Sequence, residues 1–454
     1  MSHPHRHATR RHFLRQSAAL SALGGTSFLT NLALMGEAAA QNSTGYKALV
    51  CVYLGGGNDH SNLVVPREGS AYSAYAAGRG ALALPAAQLL PIQPQGFGGP
   101  ALGLHPSLSR LQGLMGQGRL AIMANVGTLV APTSLIQWNS GRPTVAVPYQ
   151  LFSHSDQNRQ WQTGLPDAFS KTGWLGRAGD LMNSMNSGPV SLCMSMAGNN
   201  VIQVGRQVVQ YQVTSQGPVQ IYKLDTTYDF NSPALRQLMT DPNRTHLMER
   251  ELTRVARRAI EAEAGIRGAI AGTAAWPAYG GGSLGAQLRM VARMIAARDS
   301  LGHQRQVFFV QHGGYDFHAD LLVNQGARLA EVDAALSQFY QSTLDLGVSS
   351  QVTTFTASEF GRSLQSNGAG SDHGWGGHQL VMGGSVLGNR VYGQWPTVAL
   401  KGPEDAGNGR LLPTTAVDQY AATLATWLGV KSGDLSTVIP NIGRFGSANL
   451  GFLG

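Results

Sequence analysis

The feature that most constrains the fold is an apolar run of strand length near the start of the chain, Tyr46–Leu54 (YKALVCVYL). A strand that is apolar on both faces is typical of a parallel sheet covered by helices on both sides. Similar short runs recur at Arg119–Val126, Gln306–Gln311 and Val352–Thr356. Stretches with helical spacing alternate with these runs, so the sequence predicts an α/β fold. We expect a doubly wound, mostly parallel sheet with helices on both faces.

The spacing of apolar residues also predicts the helices. They are expected at Leu104–Gln117, Arg244–Ile270, Leu284–Ala297, Ala327–Leu346 and Val417–Leu428. Between the two halves of the strand–helix alternation lies a β-rich stretch, roughly Val190–Leu224, followed by two of these helices. We therefore expect one large domain over residues 41–454 that carries a β-rich and helical insertion over about residues 185–300. The Gly- and Ser-rich loops are interpreted as surface connections.

The first forty residues have the pattern of an export signal. Thr9–Arg15 (TRRHFLR) is close to a twin-arginine motif, a moderately apolar stretch runs from Ser17 to Leu34, and Ala38–Ala40 offers a small-residue cleavage site. A chance arginine pair before a membrane anchor is the alternative, but Gly, Thr and Asn interrupt the apolar stretch. We expect residues 1–40 to engage the twin-arginine export machinery, and the mature chain to be periplasmic or secreted, without a stable membrane span.

Charge and cysteine content narrow the possible partners. The chain has 33 Lys+Arg and 25 Asp+Glu, but residues 1–40 contain four Arg and one Glu, so the mature chain carries a formal charge of +5. Without a basic run, this charge argues against nucleic acid as a partner. Two cysteines make no disulfide framework. Cys51 is predicted to be a small core residue, and spacing alone leaves a Cys51–Cys193 bond open.

Three of the predicted strands end in glycine-rich turns that are followed by carboxylates and imidazoles. GGGNDHSN follows the first strand, HGGYDFH follows a later one, and the flexible loop SEFGRSLQSNGAGSDHGWGGH follows Val352–Thr356. The carboxyl ends of parallel strands meet at one edge of a sheet, where open α/β folds place their sites. Such ligands suit a hard or borderline divalent cation. If two ions are bound, they can stabilise both the attacking and the leaving oxygen of an in-line displacement. The candidate ligands are Asp59, Asp316, His318, Glu359, Asp372, His373 and His378.

Other interpretations of individual residues stay open. An Asp after glycines is more often a turn former than a ligand, and Glu359 could pair with Arg362 at the surface. His312 could be a ligand or a packing residue, and His60 is expected to be a solvated loop residue. The sequence has no G-x-S-x-G elbow, P-loop or H-E-x-x-H motif, and LGGGND lacks the third glycine of a dinucleotide fingerprint.

In combination, the segments GGGNDHSNLVVP, SHSDQNRQWQTG, GGYDFH and SEFGR…SDHGWGGH resemble a twin-arginine-exported family of unknown function. That family is similar to the alkaline phosphatase–sulfatase superfamily, and the resemblance covers nearly the whole mature chain. It implies one or two divalent ions (Zn, Mn or Ca) at the strand ends, and cleavage of phosphate, sulfate or phosphonate esters. The ligands that it implies are Asp59, Asp316, His318, Asp372, His373 and His378, with Glu359 as an alternative strand-end carboxylate.

The chain departs from this resemblance at the nucleophile. Sulfatases carry a Cys or Ser nine residues before a Thr-Gly pair, but the residue nine before Thr163 is His154, flanked by Ser153 and Ser155. Ser153 or Ser155 could be a metal-activated nucleophile, unless Ser153 is only a helix cap. Alternatively, His154 is a further ligand and an activated water attacks. In the third interpretation, the site only binds.

The sequence therefore predicts an exported, metal-dependent hydrolase of phosphate- or sulfate-type esters. Its substrate would be a small-molecule or polymer-linked anionic ester. Ser153 and His154 would lie at the attack position, and Arg159 or Arg362 could steady the anionic transition state. The alternative is a non-catalytic secreted binding protein that keeps the fold and a structural metal. A weaker possibility is partner or polymer binding through Val190–Leu224.

Overall fold

The computed structural model describes residues 45–140, 145–221, 224, 232–274 and 276–454. The predicted signal segment, residues 1–40, lies outside this part of the chain. The strands are β1 (Lys47–Gly55), β2 (Val64–Pro66), β3 (Leu90–Ile92), β4 (Leu102–Leu104), β5 (Leu120–Gly127), β6 (Cys193–Ser195), β7 (Tyr211–Thr214), β8 (Gly217–Pro218), β9 (Arg305–Gly313), β10 (Val352–Ala357), β11 (Arg362–Ser366), β12 (Ser371–His373), β13 (Gly377–Gly383), β14 (Val391–Tyr392) and β15 (Thr415–Ala416).

The α-helices of the described residues lie between these strands and after them. They are α1 (Gly69–Arg79), α2 (Ser109–Gly116), α3 (Leu135–Trp138), α4 (His154–Thr163), α5 (Trp174–Met182), α6 (Ser232–Thr240), α7 (Leu247–Ala271), α8 (Gly282–Ala296), α9 (Leu321–Asp345), α10 (Val417–Leu428) and α11 (Leu435–Val438). Of the helices that can be described, none combines the length and the apolar character needed to cross a bilayer.

Within the described residues, ten strands form the central sheet, in the order β14-β5-β13-β10-β1-β9-β6-β7-β8, with β15 also paired to β5. β1 pairs in parallel with β9 and β10, and β6 pairs in parallel with β9 and β7. β13 is antiparallel to both of its neighbours, β10 and β5. Smaller sheets are formed by β11 with β12 and by β2, β3 and β4. The mostly parallel central sheet confirms the predicted fold class.

Helices cover both faces of this sheet. Alternate side chains of a strand point to opposite faces, and β1 follows this rule, because Val50 and Val52 enter one core whereas Leu49 and Cys51 enter another. The first core contains apolar residues of α2, α8 and α9, and the second contains those of α5 and α10. The continuous apolar run at the start of the chain is therefore explained by burial of β1 on both sides.

Most predicted elements are found close to their expected positions, but three differ. The first predicted helix begins only at Ser109, since Leu102–Leu104 pairs as β4 and Pro106 restricts the backbone before it. The loop expected to be flexible after β10 contains the antiparallel pair β11–β12 and the start of β13. In the predicted insertion, β6 and β7 extend the central sheet beside β9.

The two cysteines do not form the bond that their spacing left open. Both Cys51 and Cys193 are free and buried. Cys51 lies in β1 and Cys193 in β6, and β9 runs between these strands. Two strand spacings amount to roughly 10 Å, which exceeds the Cα separation that a disulfide can bridge.

Candidate metal centre

Five side chains with metal-ligating atoms meet at the C-terminal edge of the parallel strands. Asp316 and His318 lie in the turn between β9 and α9, and Asp372 and His373 end β12. His154 is the first residue of α4. We refer to these five residues as the His–Asp cluster. Four of them come from strand-end segments that the sequence had marked, and the fifth comes from the segment proposed for the nucleophile.

Asp316 lies at the centre of the His–Asp cluster. Its Oδ2 is 3.5 Å from His154 Nε2, and its Oδ1 is 3.2 Å from His373 Nε2 and 3.1 Å from His318 Nε2. His318 Nε2 and His373 Nε2 are 3.0 Å apart, and His318 Nδ1 is 3.5 Å from Asp372 Oδ1. One ligand atom each from His154, Asp316 and His373 lies within 4.8 Å of the others. A single cation could therefore contact all three of these atoms.

The hydrogen bonds of two imidazoles leave their Nε2 atoms available to a cation. His373 Nδ1 is 2.8 Å from the carbonyl oxygen of Phe152, which can only accept, so this nitrogen carries the hydrogen. His154 Nδ1 is 3.1 Å from Glu359 Oε1 and donates to that carboxylate in the same way. In the neutral rings both Nε2 lone pairs therefore face Asp316. Metal-ligating histidines are held in this manner, with the second nitrogen donating to a carboxylate or carbonyl.

Glu359 forms hydrogen bonds with the turn after β1 and with His154. Its Oε1 accepts a hydrogen bond of 2.8 Å from the backbone N–H of Gly56. Gly56 has a φ of +120°, and a Cβ at this position would lie 2.5 Å from the backbone nitrogen of Asp316. Only glycine allows the turn after β1 to approach the turn after β9 this closely. The expected ligand Glu359 thus contacts the cluster through His154.

Arg362 holds Asp316 in place through a hydrogen-bonded ion pair. Its side chain is fully buried, and Nη1 donates to Asp316 Oδ1 at 2.9 Å and to the carbonyl of Gly56 at 3.0 Å. Nε donates to the carbonyl of Ser371 at 3.0 Å. A surface pair between Glu359 and Arg362, which the sequence left open, is not among these contacts, because the Arg362 side chain is buried and donates to Asp316.

The environment shifts the pKa values of three cluster residues. Burial alone would raise the pKa of Asp316, but the hydrogen bond and charge of Arg362, with the nearby His318 and His154, hold it below the ordinary value. Burial lowers the pKa of His373, although its bond to Phe152 opposes the shift. The hydrogen bond to Glu359 raises the pKa of His154. At neutral pH these shifts favour an ionised Asp316 and a neutral His373, the forms that ligate metals.

Phe360 packs against the cluster and was not expected from the sequence. Its ring stacks on His373 with centroids 4.7 Å apart and lies 4.9 Å from the ring of His154. The two imidazoles are themselves 4.3 Å apart. An apolar residue between Glu359 and Gly361 gives no local sign of such a position. The carbonyl of Phe152 was missed for the same reason, because any residue could supply it.

Asp59 is not brought to the His–Asp cluster, contrary to expectation. It is fully buried and forms an ion pair with the buried Arg79, and its Oδ1 also accepts a 3.2 Å bond from the N–H of Ser61. Arg79 is placed for this role by α1 and also donates to the carbonyl of Ser363 at 2.9 Å. The guanidinium thus provides the positive charge that the sequence interpretation assigned to a metal.

His378 also lies apart from the cluster, because it belongs to β13 and its side chain is buried there. Its Nδ1 accepts a 3.1 Å bond from the backbone N–H of Asn125, and its ring stacks on Trp395 at 4.5 Å. His60 packs edge-on against His378, with centroids 5.4 Å apart. His60 is only 1% exposed, so its interpretation as a solvated loop residue was wrong.

Ser153, the proposed nucleophile, directly precedes α4. Its Oγ donates to Asp156 Oδ2 at 2.6 Å and lies 3.2 Å from Ser155 Oγ. It occupies the N-cap position but accepts no backbone hydrogen bond there. Asp156 is therefore placed to accept the hydroxyl proton of Ser153 if that oxygen attacks.

Two further candidates make contacts of their own. Arg159 donates to the carbonyl of Ser170 at 3.3 Å, and its guanidinium lies 4.5 Å from the ring centroid of Phe169. His312 is bonded through Nε2 to Glu331 at 2.6 Å and through Nδ1 to the hydroxyl of Tyr315 at 2.9 Å. The packing interpretation of His312 therefore fits its contacts.

A family model described as "Protein of unknown function (DUF1501)" matches residues 46–424. No curated protein matches the sequence significantly.

Three solved structures illustrate the remaining similarity. The sulfatase PsFucS1 from Pseudoalteromonas sp. is 12% identical, with a TM-score of 0.33 over 88% of this chain and 75% of that chain. The C-terminal periplasmic domain of EcEptC from Escherichia coli is 10% identical, with a TM-score of 0.34 over 88% of both chains. The lipoteichoic acid synthase LtaP from Listeria monocytogenes is 9% identical, with a TM-score of 0.33 over 87% of this chain and 75% of that chain.

Proposed function

This chain belongs to the family described as "Protein of unknown function (DUF1501)", and we propose that it is a metal-dependent hydrolase of phosphate- or sulfate-type esters. One observation carries the proposal. His154 and His373 each donate Nδ1–H to a fixed acceptor and turn Nε2 towards Asp316. This arrangement pre-organises nitrogen and oxygen ligands for a divalent cation.

The residues of the cluster fit such an ion. His154, Asp316 and His373 would hold it, and His318 and Asp372 would complete its coordination or hold a second ion. Mixed imidazole and carboxylate ligands suit Zn²⁺ or Mn²⁺. Ca²⁺ fits less well, because it is usually bound by oxygen ligands alone. When bound, the ion would polarise an ester oxygen and stabilise the charge that develops during displacement.

The chain itself would supply orientation and proton transfer. Arg362 keeps Asp316 ionised and fixed in position, and Glu359 holds the ring of His154. Phe360 packs against the two imidazoles on one side. We favour Ser153 as the attacking hydroxyl, because Asp156 Oδ2 lies 2.6 Å from its oxygen and can accept the proton.

The remaining parts of the proposal concern location and substrate. We propose that residues 1–40 direct twin-arginine export and that residues 41–454 act as one domain in the periplasm or outside the cell. The substrate would be an anionic ester, either a small molecule or a group linked to a polymer. A non-catalytic binding protein that uses the same cation is the alternative.

Metal titration tests the cation site. Purified chain should bind Zn²⁺ or Mn²⁺ stoichiometrically, and His373→Ala should weaken binding by at least about 100-fold, because a ligand is lost. His246→Ala is the matched control, since His246 is exposed and lies at the start of α7. A chain that binds none of Zn²⁺, Mn²⁺ and Ca²⁺ would contradict the cation site.

An ester panel tests turnover. p-Nitrophenyl phosphate, bis(p-nitrophenyl) phosphate, p-nitrophenyl sulfate and a phosphonate ester should be offered to the metal-loaded chain, to Asp372→Ala and to Ser153→Ala. We expect cleavage of at least one ester, with a loss of at least about 100-fold in each variant. Activity that survives Asp372→Ala would place the site elsewhere. Bound metal without turnover of any ester would support the binding protein instead.

A further inference from the structure

Helix α7 carries an apolar stripe along its length, and only half of that stripe is covered. Along the stripe, apolar residues alternate at intervals of four and three, with a last one a turn further on. These residues are Met248, Leu252, Val255, Ala259, Ala262, Ile266 and Ile270. This spacing is that of the seam between the helices of a coiled coil. It places all seven side chains on the same side of α7.

The C-terminal half of the stripe is part of the protein core. Ala262, Ile266 and Ile270 are buried, and they belong to the same apolar cluster as residues of α8 such as Leu288 and Met294. The stripe therefore serves as a packing surface where it has a neighbour. The stripe stays apolar beyond the point at which the core stops covering it.

The apolar residues in the N-terminal half of the stripe are exposed to solvent. Met248 is 71% exposed, Leu252 is 69% exposed and Val255 is 52% exposed. Leu247 beside them is 74% exposed. Single exposed apolar residues are ordinary, but a contiguous apolar patch marks an interaction site.

We propose that this exposed half of α7 pairs, antiparallel, with the same half of a second copy of the chain. An antiparallel pair about a two-fold axis brings identical stripes together, with Leu252 of each copy facing Val255 of the other. A parallel pair would bring the two covered C-terminal halves to the same end, where each is already occupied by its own core. In the antiparallel pair the two cores lie at opposite ends of the contact.

The charges beside the stripe are complementary in this arrangement. Glu251 and Arg258 are seven residues apart, so they flank the stripe on the same side of the helix. In an antiparallel pair Glu251 of each copy faces Arg258 of the other, which gives two opposite-charge contacts. Glu251 pairs within its own chain with Arg254 at 2.7 Å, but this pair is exposed. Exposed ion pairs contribute little to stability, so Glu251 can exchange this partner for Arg258 of the second copy.

The main alternative occupant is an anionic membrane surface. Seven arginines lie on α6, α7 and the loop between them, which would suit such a surface, but Glu249 and Glu251 stand beside the exposed half of the stripe. Anionic lipid would repel these two glutamates. A second copy of the chain instead places its Arg258 opposite Glu251. The charge pattern therefore favours the homodimer.

Light scattering after size exclusion, over a range of concentrations of the full chain, tests the proposal. We expect a dimer for the wild type and a dissociation constant at least about tenfold higher for Leu252→Asp, because a central apolar contact is lost twice. Val323→Asp is the matched control, since Val323 is 76% exposed on α9, outside the stripe, and should leave the dimer intact. Circular dichroism checks that both variants keep their helices.

Charge reversal tests the orientation. Arg258→Glu should weaken the dimer, because the new glutamate of each copy would face Glu251 of the other. Adding Glu251→Arg should restore the dimer, because opposite charges then face each other again. A wild-type chain that stays monomeric at every concentration would overturn the proposal, as would a dimer that Leu252→Asp does not affect. Binding of a monomeric chain to anionic vesicles, with no binding to neutral ones, would identify the lipid surface and also overturn it.

Discussion

At the residue scale, Glu359 favours the protonated form of His154. The hydrogen bond between them raises the pKa of His154, and a proton on this ring must leave before Nε2 can bind a cation. In Glu359→Gln the pKa of His154 should fall, so the acid limb of Zn²⁺ binding should move to lower pH. Titration of metal affinity against pH measures the shift.

Glu331→Gln is the matched control for this prediction. Glu331 also accepts from a histidine, His312, at 2.6 Å, but it lies outside the His–Asp cluster. The control should leave the acid limb in place. An unchanged limb in Glu359→Gln would show that the raised pKa of His154 does not limit cation binding.

Asp418 is a buried acid outside the cluster that predicts a pH-dependent stability. It is 1% exposed, and neither carboxylate oxygen has a partner in any other described residue. Burial raises its pKa to about 8, so between about pH 4 and 8 the folded chain keeps a proton that the unfolded chain has released. The free energy of unfolding should therefore fall as pH rises through this window, by at most about 1.4 kcal/mol per pH unit from this group.

Asp418→Asn should remove that dependence, because an amide does not titrate. Chemical denaturation at several pH values between about 4 and 8 should give a flatter profile and a more stable variant at the upper end. Asp299→Asn is the control, since the Asp299 side chain is 85% exposed. A variant profile that stays parallel to the wild type would contradict the assignment.

At the scale of elements, the turn after β1 positions the cluster. Gly56 has a positive φ, and a Cβ there would lie 2.5 Å from the nitrogen of Asp316 and 2.8 Å from that of Tyr315. Gly56→Ala should therefore cost about 3 kcal/mol or more of unfolding free energy. It should also weaken the cation site, because the turn that carries Asp316 is displaced. Denaturation and metal titration measure the two effects.

Gly118→Ala separates backbone strain from steric displacement. Gly118 also has a positive φ, of +72°, but a Cβ there would meet nothing within 4 Å. This variant should lose only about 1 kcal/mol and keep its metal affinity. Equal losses in both variants would mean that the contact between the turns after β1 and β9 is unimportant.

At the scale of the whole molecule, the strand order decides the state of the cysteines. Cys51 and Cys193 are buried on β1 and β6, with β9 between them, and burial raises the pKa of both thiols. We expect no thiol to react with an aromatic disulfide reagent in the folded chain, and both to react after unfolding without a reductant. Protection of both thiols in the unfolded, unreduced chain would reveal a disulfide and contradict this strand order.

The local elements and the class of fold follow from the residue pattern alone. Tyr46–Leu54 had to form a doubly buried strand because it offers no polar face, and the same pattern located β5, β9 and β10. Periodicity depends on neighbouring residues along the chain, so it could be read without a structure. The carboxylates and imidazoles after these strands could likewise be recognised as a set of candidates.

Which of these candidates meet depends on how the folded strands are ordered and packed. Asp316, His318, Asp372 and His373 converge with His154, which lies 205 residues from its partner Glu359. Asp59 and His378 have equally suitable side chains, but Asp59 forms an ion pair with the buried Arg79, and His378 is buried in β13 with its Nδ1 bonded to the backbone N–H of Asn125. Distances between side chains that are remote in sequence depend on strand order and on packing against the whole core. A ligand-rich motif therefore establishes which chemistry is available, and the folded sheet establishes which residues can share a cation.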